Sequence, residues 1–350
     1  MTGTMKAVVK YGPNAGETAL QDKPIPQIGP DDVLVKVAYI GICGTDPHMH
    51  MNLTNLTVAV PMIFGHEFAG TIAELGENVQ GWAAGDRVTV ETHADYCGTC
   101  EMCRTNRYHL CRNRKGYGFQ ADGAFASYVR VPSRILHRVP ENVSLRDASL
   151  TEPLCVGYKS MVDNSNIRPG DTVVVIGPGP IGMVCIKMAQ ICGASEIIAV
   201  GANGDEQRLQ MALTYGATAA VNSQEPGAVE KIMALTDGYG ADLVADTAGV
   251  SATLKLSLDV VRPFGQITKI GWGPKPVDFS LDKLLQKSAT LQGHFSHTWD
   301  VWEKCLTLMK KGQVDLGPLI THELPLDQWE KGFELIENRE AMKVVLTPID

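Results

Sequence analysis

Nowhere do five like charges follow one another, and the formal net charge is -8. The chain therefore has no broad cationic face to attract nucleic acid or an anionic membrane. The longest uncharged apolar stretch, 172–186, is broken by Gly and Pro and is too short to cross a bilayer. The first ten residues lack an apolar signal-peptide core, which argues against export. Neither a low-complexity segment nor a repeat of 20–50 residues is present, so solenoids and arrays are excluded. What remains is a 350-residue chain, 44% hydrophobic and 20% charged, long enough for two domains of ordinary globular composition.

Cysteine is neither scarce nor evenly spread. Four of the nine, Cys97, Cys100, Cys103 and Cys111, follow the spacing Cys-x2-Cys-x2-Cys-x7-Cys. Thiols this close repel as thiolates and oxidise readily unless a cation holds them, and tetrahedral zinc holds four of them without redox chemistry. All four positions would be filled, so this metal would stabilise the fold and leave no vertex for substrate. An iron–sulfur cluster is the rival, but its motif continues x3-Cys-Pro, and here the gap is x7 without Pro. A nucleic-acid zinc finger would need a second Cys-x2-Cys or a His pair, which is missing. An odd cysteine total with metal spacing points to a reducing compartment, so a cytoplasmic protein is expected.

The hydrophobic rhythm changes partway along. Residues 32–40, 87–90 and 125–131 read as strands separated by Gly-, Pro- and Asp-rich turns. After Arg168-Pro169-Gly170-Asp171 comes a β-branched run, 172–176, and then a helical stretch with Ile181, Val184, Met188 and Ile191 on one face. Further strands are expected at 196–200, 219–222, 242–246, 266–270 and 289–293, with helical patterns between most of them. Six strands joined by crossover helices make a doubly wound parallel sheet, an α/β architecture. Amphipathic helices at 298–311 and 326–339 and a strand at 343–346 close the chain. The expected division is 154–293 for the nucleotide domain, inserted between 1–153 and 294–350 of a β-rich one.

Gly177-Pro178-Gly179-Pro180-Ile181-Gly182 is a Gly-x-Gly-x-x-Gly, weak alone but here between a buried-type strand and an amphipathic helix. Gly177 would permit the tight turn, Gly179 the approach of a diphosphate, and Gly182 the helix–strand packing. The helix N-terminus would face the anion. The next strand runs into Gly201-Ala202-Asn203-Gly204 and lacks the acid that would bond an adenosine ribose 2′-hydroxyl. Asp205 and Glu206 arrive late, and Arg208 could serve either dinucleotide, so the reading leans to NADP or dual use over NAD alone.

Cys43 lies in Gly41-Ile42-Cys43-Gly44-Thr45-Asp46, His66 and Glu67 in Phe64-Gly65-His66-Glu67-Phe68, and Glu152 in Thr151-Glu152-Pro153-Leu154. With the four-cysteine lobe and the glycine fingerprint in that order, the chain resembles the zinc-dependent medium-chain dehydrogenases over nearly its whole length. It is most similar to the sorbitol (polyol) and threonine dehydrogenase branches, which carry Gly-His-Glu and a Glu before Pro-Leu. The resemblance implies a GroES-like catalytic domain beside a Rossmann domain. It implies two zinc ions per chain, with a catalytic one on Cys43 and His66, Glu67 completing the set and Glu152 binding directly or through water. It also implies a relay in which Thr45 contacts the alcohol and His48 passes the proton outward. Ile270, Gly271, Trp272, Phe295 and Ser296 are expected on the cofactor side, and Met49, Trp272, Ser296 and His297 on the pocket wall.

Where polyol dehydrogenases carry an Arg-Tyr pair near the sixth strand, this chain has Gly293-His294-Phe295-Ser296-His297-Thr298-Trp299 and is shorter, which weakens the expectation of a long polyol. The implied activity is NAD(P)-linked interconversion of a secondary alcohol, a small polyol or sugar derivative, and its ketone, in a homotetramer or dimer. The alternatives are a threonine- or butanediol-type dehydrogenase, or a zinc- and nucleotide-binding protein without turnover.

Overall fold

A computed structural model describes residues 3–349. The chain forms two compact units, 1–152 with 297–350, and 153–296.

The first unit is built on a seven-stranded sheet. Its main order is Leu136–Arg138, Arg87–Val90, Glu67–Leu75, Asp32–Gly41, Lys343–Thr347 and Ile320–Pro325, with Tyr128–Pro132 also pairing Asp32–Gly41. A smaller sheet joins Thr18–Pro24, Thr4–Lys10 and Met62–Ile63. Alternation in Asp32–Gly41 sends Val33, Val35 and Val37 into the core with Phe68, Phe125 and Ile135. Part of the expected strand at 125–131 lies outside the regular strand, which begins at Tyr128; before it Ala126 makes a single bridge to Ala7, and Phe125 is fully buried beside Gly65. Gly65 has φ +97°, and a Cβ there would stand 2.3 Å from the Phe125 ring. Only glycine lets the chain turn there, and the next residue is His66.

The second unit is a six-stranded, all-parallel sheet ordered Ala219–Asn222, Glu196–Gly201, Thr172–Ile176, Ala241–Asp246, Val261–Lys269 and Thr290–Gly293. This is the doubly wound order, reversing beside the first strand, where dinucleotides bind in such folds. Val174, Ile176, Ile198, Val200, Val244 and Ile267 form its core with helix Ser251–Val260. Among the described residues no helix is long and apolar enough to cross a membrane.

Candidate active site

Strand register brings three distant segments of the first unit to one place. Gly41 pairs with Glu67 across the central sheet, and Val345 pairs with Gly41 from the other side. The Ile42 amide donates to Val344 O at 3.0 Å, so Cys43, His66, Glu67 and Lys343 all emerge at the same sheet end. The Cys43 thiol, a His66 ring nitrogen and a Glu67 oxygen lie within 4.8 Å of one another. A thiol, an imidazole and a carboxylate, with two of the three residues buried, are donors of the types that bind zinc, and the group could hold a metal ion. The charges fit as well. Burial alone would pull His66 down, yet Cys43, Asp46 and Glu152 outweigh it and hold the imidazole protonated up to about 10. So many anionic neighbours around one buried ring call for a cation.

The supporting groups were less visible in the sequence. Asp46, fully buried in the short helix Thr45–His50, accepts from the Cys43 amide at 2.8 Å and stands 3.7 Å from His66 Nδ1. Burial raises its carboxyl to about 6, against the pull of His66 and the Cys43 amide. Lys343, also buried, contacts both Glu67 oxygens at 2.6 and 2.7 Å. Glu152 opens helix Thr151–Tyr158 and lies outside the 4.8 Å group, with Oε1 3.2 Å from His297 Nε2. Lys343 lies far along the chain and leaves no local pattern, and Asp46, three residues after Cys43, shows in the sequence only as a turn acid.

Thr45 Oγ1 is buried without a hydrogen-bond partner, while His48 is exposed on the same helix. Met49 is fully buried yet borders a cavity of about 230 Å³ with Lys10, Asn52 and Thr54. His297, expected on a pocket wall, is instead wholly buried.

The four-cysteine lobe is assembled too. Its sulfur separations are 3.5 Å (Cys97–Cys111), 3.6 Å (Cys100–Cys103) and 3.9 Å (Cys97–Cys103). Tetrahedral zinc with bonds of about 2.3 Å requires sulfurs about 3.8 Å apart. Backbone amides of Thr99 and Cys100 lower Cys97 to about 6, while burial and the neighbouring thiols push Cys103 up to about 12. A cation removes that conflict.

In the second unit, Gly177 has φ +99°, and a Cβ there would meet Thr247 Oγ1 at 2.7 Å. Thr247 Oγ1 itself donates to Gly177 O at 2.7 Å and lies 2.9 Å from Ile176 O, fixing the turn; it is a residue that sequence reasoning missed. Gly179 faces open space, and a Cβ at Gly182 would strike Gly177 O at 2.0 Å. Helix Pro180–Ile191 starts there with Pro180 in its first turn and Ile181 half-buried, leaving amides pointed at the gap.

Beyond the second strand, Gly201 is buried, and Ser223 donates twice to its carbonyl at 2.8 Å. A side chain at Gly201 would press on Asp205 and Leu209 at 3.0–3.2 Å, so it is a poor place for the missing acid. Asp205 caps the Ala202 amide at 3.0 Å, and Glu206 accepts from Gly204 N at 3.1 Å, so both acids serve the loop itself. Exposed Asn203 is linked to Asn222 and Gln224 by neutral amides, and Arg208 is half-buried in helix Glu206–Tyr215. Ile270 is buried, and Gly271 packs backbone to backbone on Thr247–Gly249. Trp272 and Phe295 are partly exposed and meet edge to face at 6.0 Å, with Ser296 next at φ +55°.

Comparisons with known proteins identify the family. The family model of the alcohol dehydrogenase GroES-like domain matches residues 29–141, and that of the zinc-binding dehydrogenase matches 180–311. A sorbitol dehydrogenase of Halalkalibacterium halodurans is 41% identical over 99% of this chain and 100% of its own. An L-threonine 3-dehydrogenase of Bacillus velezensis is 36% identical, over 99% of this chain and 100% of its own. Among solved structures, a zinc-binding dehydrogenase of Sinorhizobium meliloti 1021 bound to NADP superposes with a TM-score of 0.89 at 30% identity, covering 99% and 100% of the two chains.

Proposed function

The chain belongs to the zinc-dependent medium-chain dehydrogenases, and from that premise we propose that it oxidises a small polyol or sugar derivative at a secondary alcohol, reversibly, with NADP or either dinucleotide. It is an NAD(P)-linked oxidoreductase of the alcohol and polyol dehydrogenase class. The observation that carries the reading is the convergence of Cys43, His66 and Glu67 within 4.8 Å. These residues would hold the catalytic zinc, with Glu152 assisting, and Cys97, Cys100, Cys103 and Cys111 would hold a structural one.

When bound, the catalytic zinc supplies a Lewis acid that lowers the substrate hydroxyl's pKa by many units. The chain does the rest. Asp46 faces His66 Nδ1 at 3.7 Å, and Lys343 pairs with Glu67 away from water. Thr45 Oγ1, buried and otherwise unpartnered, accepts the departing hydroxyl proton and hands one on toward exposed His48. Gly179 and the helix N-terminus at Pro180 would hold the diphosphate of a dinucleotide, whose nicotinamide would supply the hydride acceptor.

The likeness to sorbitol dehydrogenase favours a polyol, while the loss of the Arg-Tyr pair favours a short one. The L-threonine 3-dehydrogenase likeness supports a hydroxy amino acid as the second reading. Nine free cysteines support a reducing, cytoplasmic setting, and a homodimer or homotetramer is proposed from the family resemblance. The test is a screen of short polyols, their phosphates, butanediol and threonine with NAD and NADP, read at 340 nm beside metal analysis. Two zincs per chain and turnover of a polyol are expected; turnover of threonine alone would select the second reading. One zinc and no turnover of any alcohol would refute both.

A further inference from the structure

Glu152 is gripped from behind by a histidine whose ring has only one possible protonation pattern. Its Oε1 lies 3.2 Å from His297 Nε2, and the Trp302 indole Nε1 lies 2.8 Å from His297 Nδ1. An indole nitrogen only donates, so the Nδ1 facing it carries no proton. The ring proton therefore sits on Nε2 and points at the carboxylate. His297 is 0% exposed and Trp302 1%, so water does not compete for either bond.

The backbone of His297 is held by the same logic. Its carbonyl accepts from His93 Nε2 at 2.8 Å, and His93 Nδ1 accepts from Arg114 Nε at 2.6 Å. Arginine is also donor-only, so His93 is fixed in one tautomer. Two donor-only side chains, one at each end, thus set every proton in this buried network. His297 has no site left to accept a proton, and relay from Glu152 through this ring is excluded. What it can do is donate.

We propose that His297, locked by Trp302, is a positioning residue that ties one oxygen of Glu152 and so fixes how the carboxylate is presented to the Cys43–His66–Glu67 site. It thereby sets how tightly that site holds its metal. The inference rests on the reading of Glu152 as a residue of the metal site. Partners that fix a metal ligand's orientation typically govern metal affinity by about 10–100-fold.

The test uses the full-length apo chain titrated with Zn²⁺ against a chromogenic chelator, and with Co²⁺ to record its visible absorption bands. His297→Ala is expected to weaken the more loosely held Zn²⁺ by about 10–100-fold and to alter the Co²⁺ bands of that site. Trp302→Phe keeps an aromatic ring at that position and removes the donor that fixes the tautomer, so an intermediate loss is expected. His297→Gln restores an N–H at similar reach and should return to within about threefold of the unaltered chain. His297→Ala combined with Glu152→Ala should be no weaker than Glu152→Ala alone.

Unchanged Zn²⁺ affinity in both His297→Ala and Trp302→Phe, while Glu152→Ala weakens binding, would overturn the positioning role alone. An unchanged affinity in Glu152→Ala would overturn the reading of Glu152, and the proposal with it. If His297→Ala does not fold, Trp302→Phe and His297→Gln decide the question.

Discussion

Lys343 brings an ammonium group to a place that is 3% exposed, and both oxygens of a carboxylate that is 1% exposed receive it. Burial pulls the lysine pKa down, but Glu67, Cys43 and Glu152 push it up and win, so the side chain stays charged. Desolvating two such ions costs several kcal/mol each, and only close geometry offsets that. Replacing one partner is therefore far worse than replacing both. Lys343→Met should destabilise the apo protein by about 3–5 kcal/mol in urea unfolding, because the buried Glu67 carboxyl is left without its partner. Lys343→Met with Glu67→Gln should recover much of that loss, and a double variant as unstable as the single one would refute the pairing. The pair also shows what a sequence conceals. Gly-His-Glu announces itself because its residues are adjacent, whereas Lys343 lies 276 residues from its partner inside an ordinary strand pattern. Asp46 is similar: its role depends on a 3.7 Å approach to His66 that no spacing rule contains.

Elements differ in how much of their stability is their own. Helix Glu101–Arg104 buries no residue, so hydrophobic packing of that helix cannot hold the cysteine lobe. Buried Tyr108, whose hydroxyl bonds Glu91 at 2.7 Å, anchors one end of the segment, and the four thiols spaced for zinc hold the rest. Cys100→Ala should cost several kcal/mol, a Tm fall of roughly 5–10 °C, with one metal lost per chain by elemental analysis. An unchanged Tm would show that the lobe does not need its ion.

Strand Leu136–Arg138 and helix Trp299–Lys310 meet through a different device. His137 Nδ1 bonds Glu303 Oε1 at 2.6 Å, its Nε2 lies 3.5 Å from Glu91, and its ring stacks on Trp302 at 5.3 Å. Burial alone would lower this histidine, but Glu303 and Glu91 outweigh it and raise its pKa above 6.5. A raised folded value means the stabilisation is complete below the unfolded pKa and lost as pH rises through the folded one. Stability should therefore decline from about pH 6.5 upward, and His137→Gln should flatten that slope in denaturant titrations repeated across pH. These elements were legible because period-2 and period-3.6 patterns mark strands and helices locally. The contact between them was not, and the shortened strand at Tyr128 escaped because buried loop residues such as Phe125 mimic strand alternation.

At the scale of the whole molecule, the proposed metal-binding and dinucleotide-binding residues fall in different units. Cys43, His66 and Glu67 lie in 1–152, and the glycine fingerprint with its Thr247 latch lies in 153–296. That order was readable because each signature is contiguous and flanked by a change of hydrophobic rhythm. The choice of alcohol was not, because specificity depends on side chains from several loops whose identities follow no spacing. The division has a measurable consequence. Loss of a Lewis acid worth several kcal/mol corresponds to about a thousandfold or more in rate, so Cys43→Ala should lose turnover by at least that factor. Its NADPH affinity, followed by fluorescence titration, should stay within about threefold, because no fingerprint residue has been touched. Gly179→Val should do the reverse, filling the open space at the helix N-terminus and abolishing dinucleotide binding while both zincs remain. If Cys43→Ala lost NADPH binding and turnover together, dinucleotide capture would depend on the metal site, and the two units could not be read as separate binding bodies.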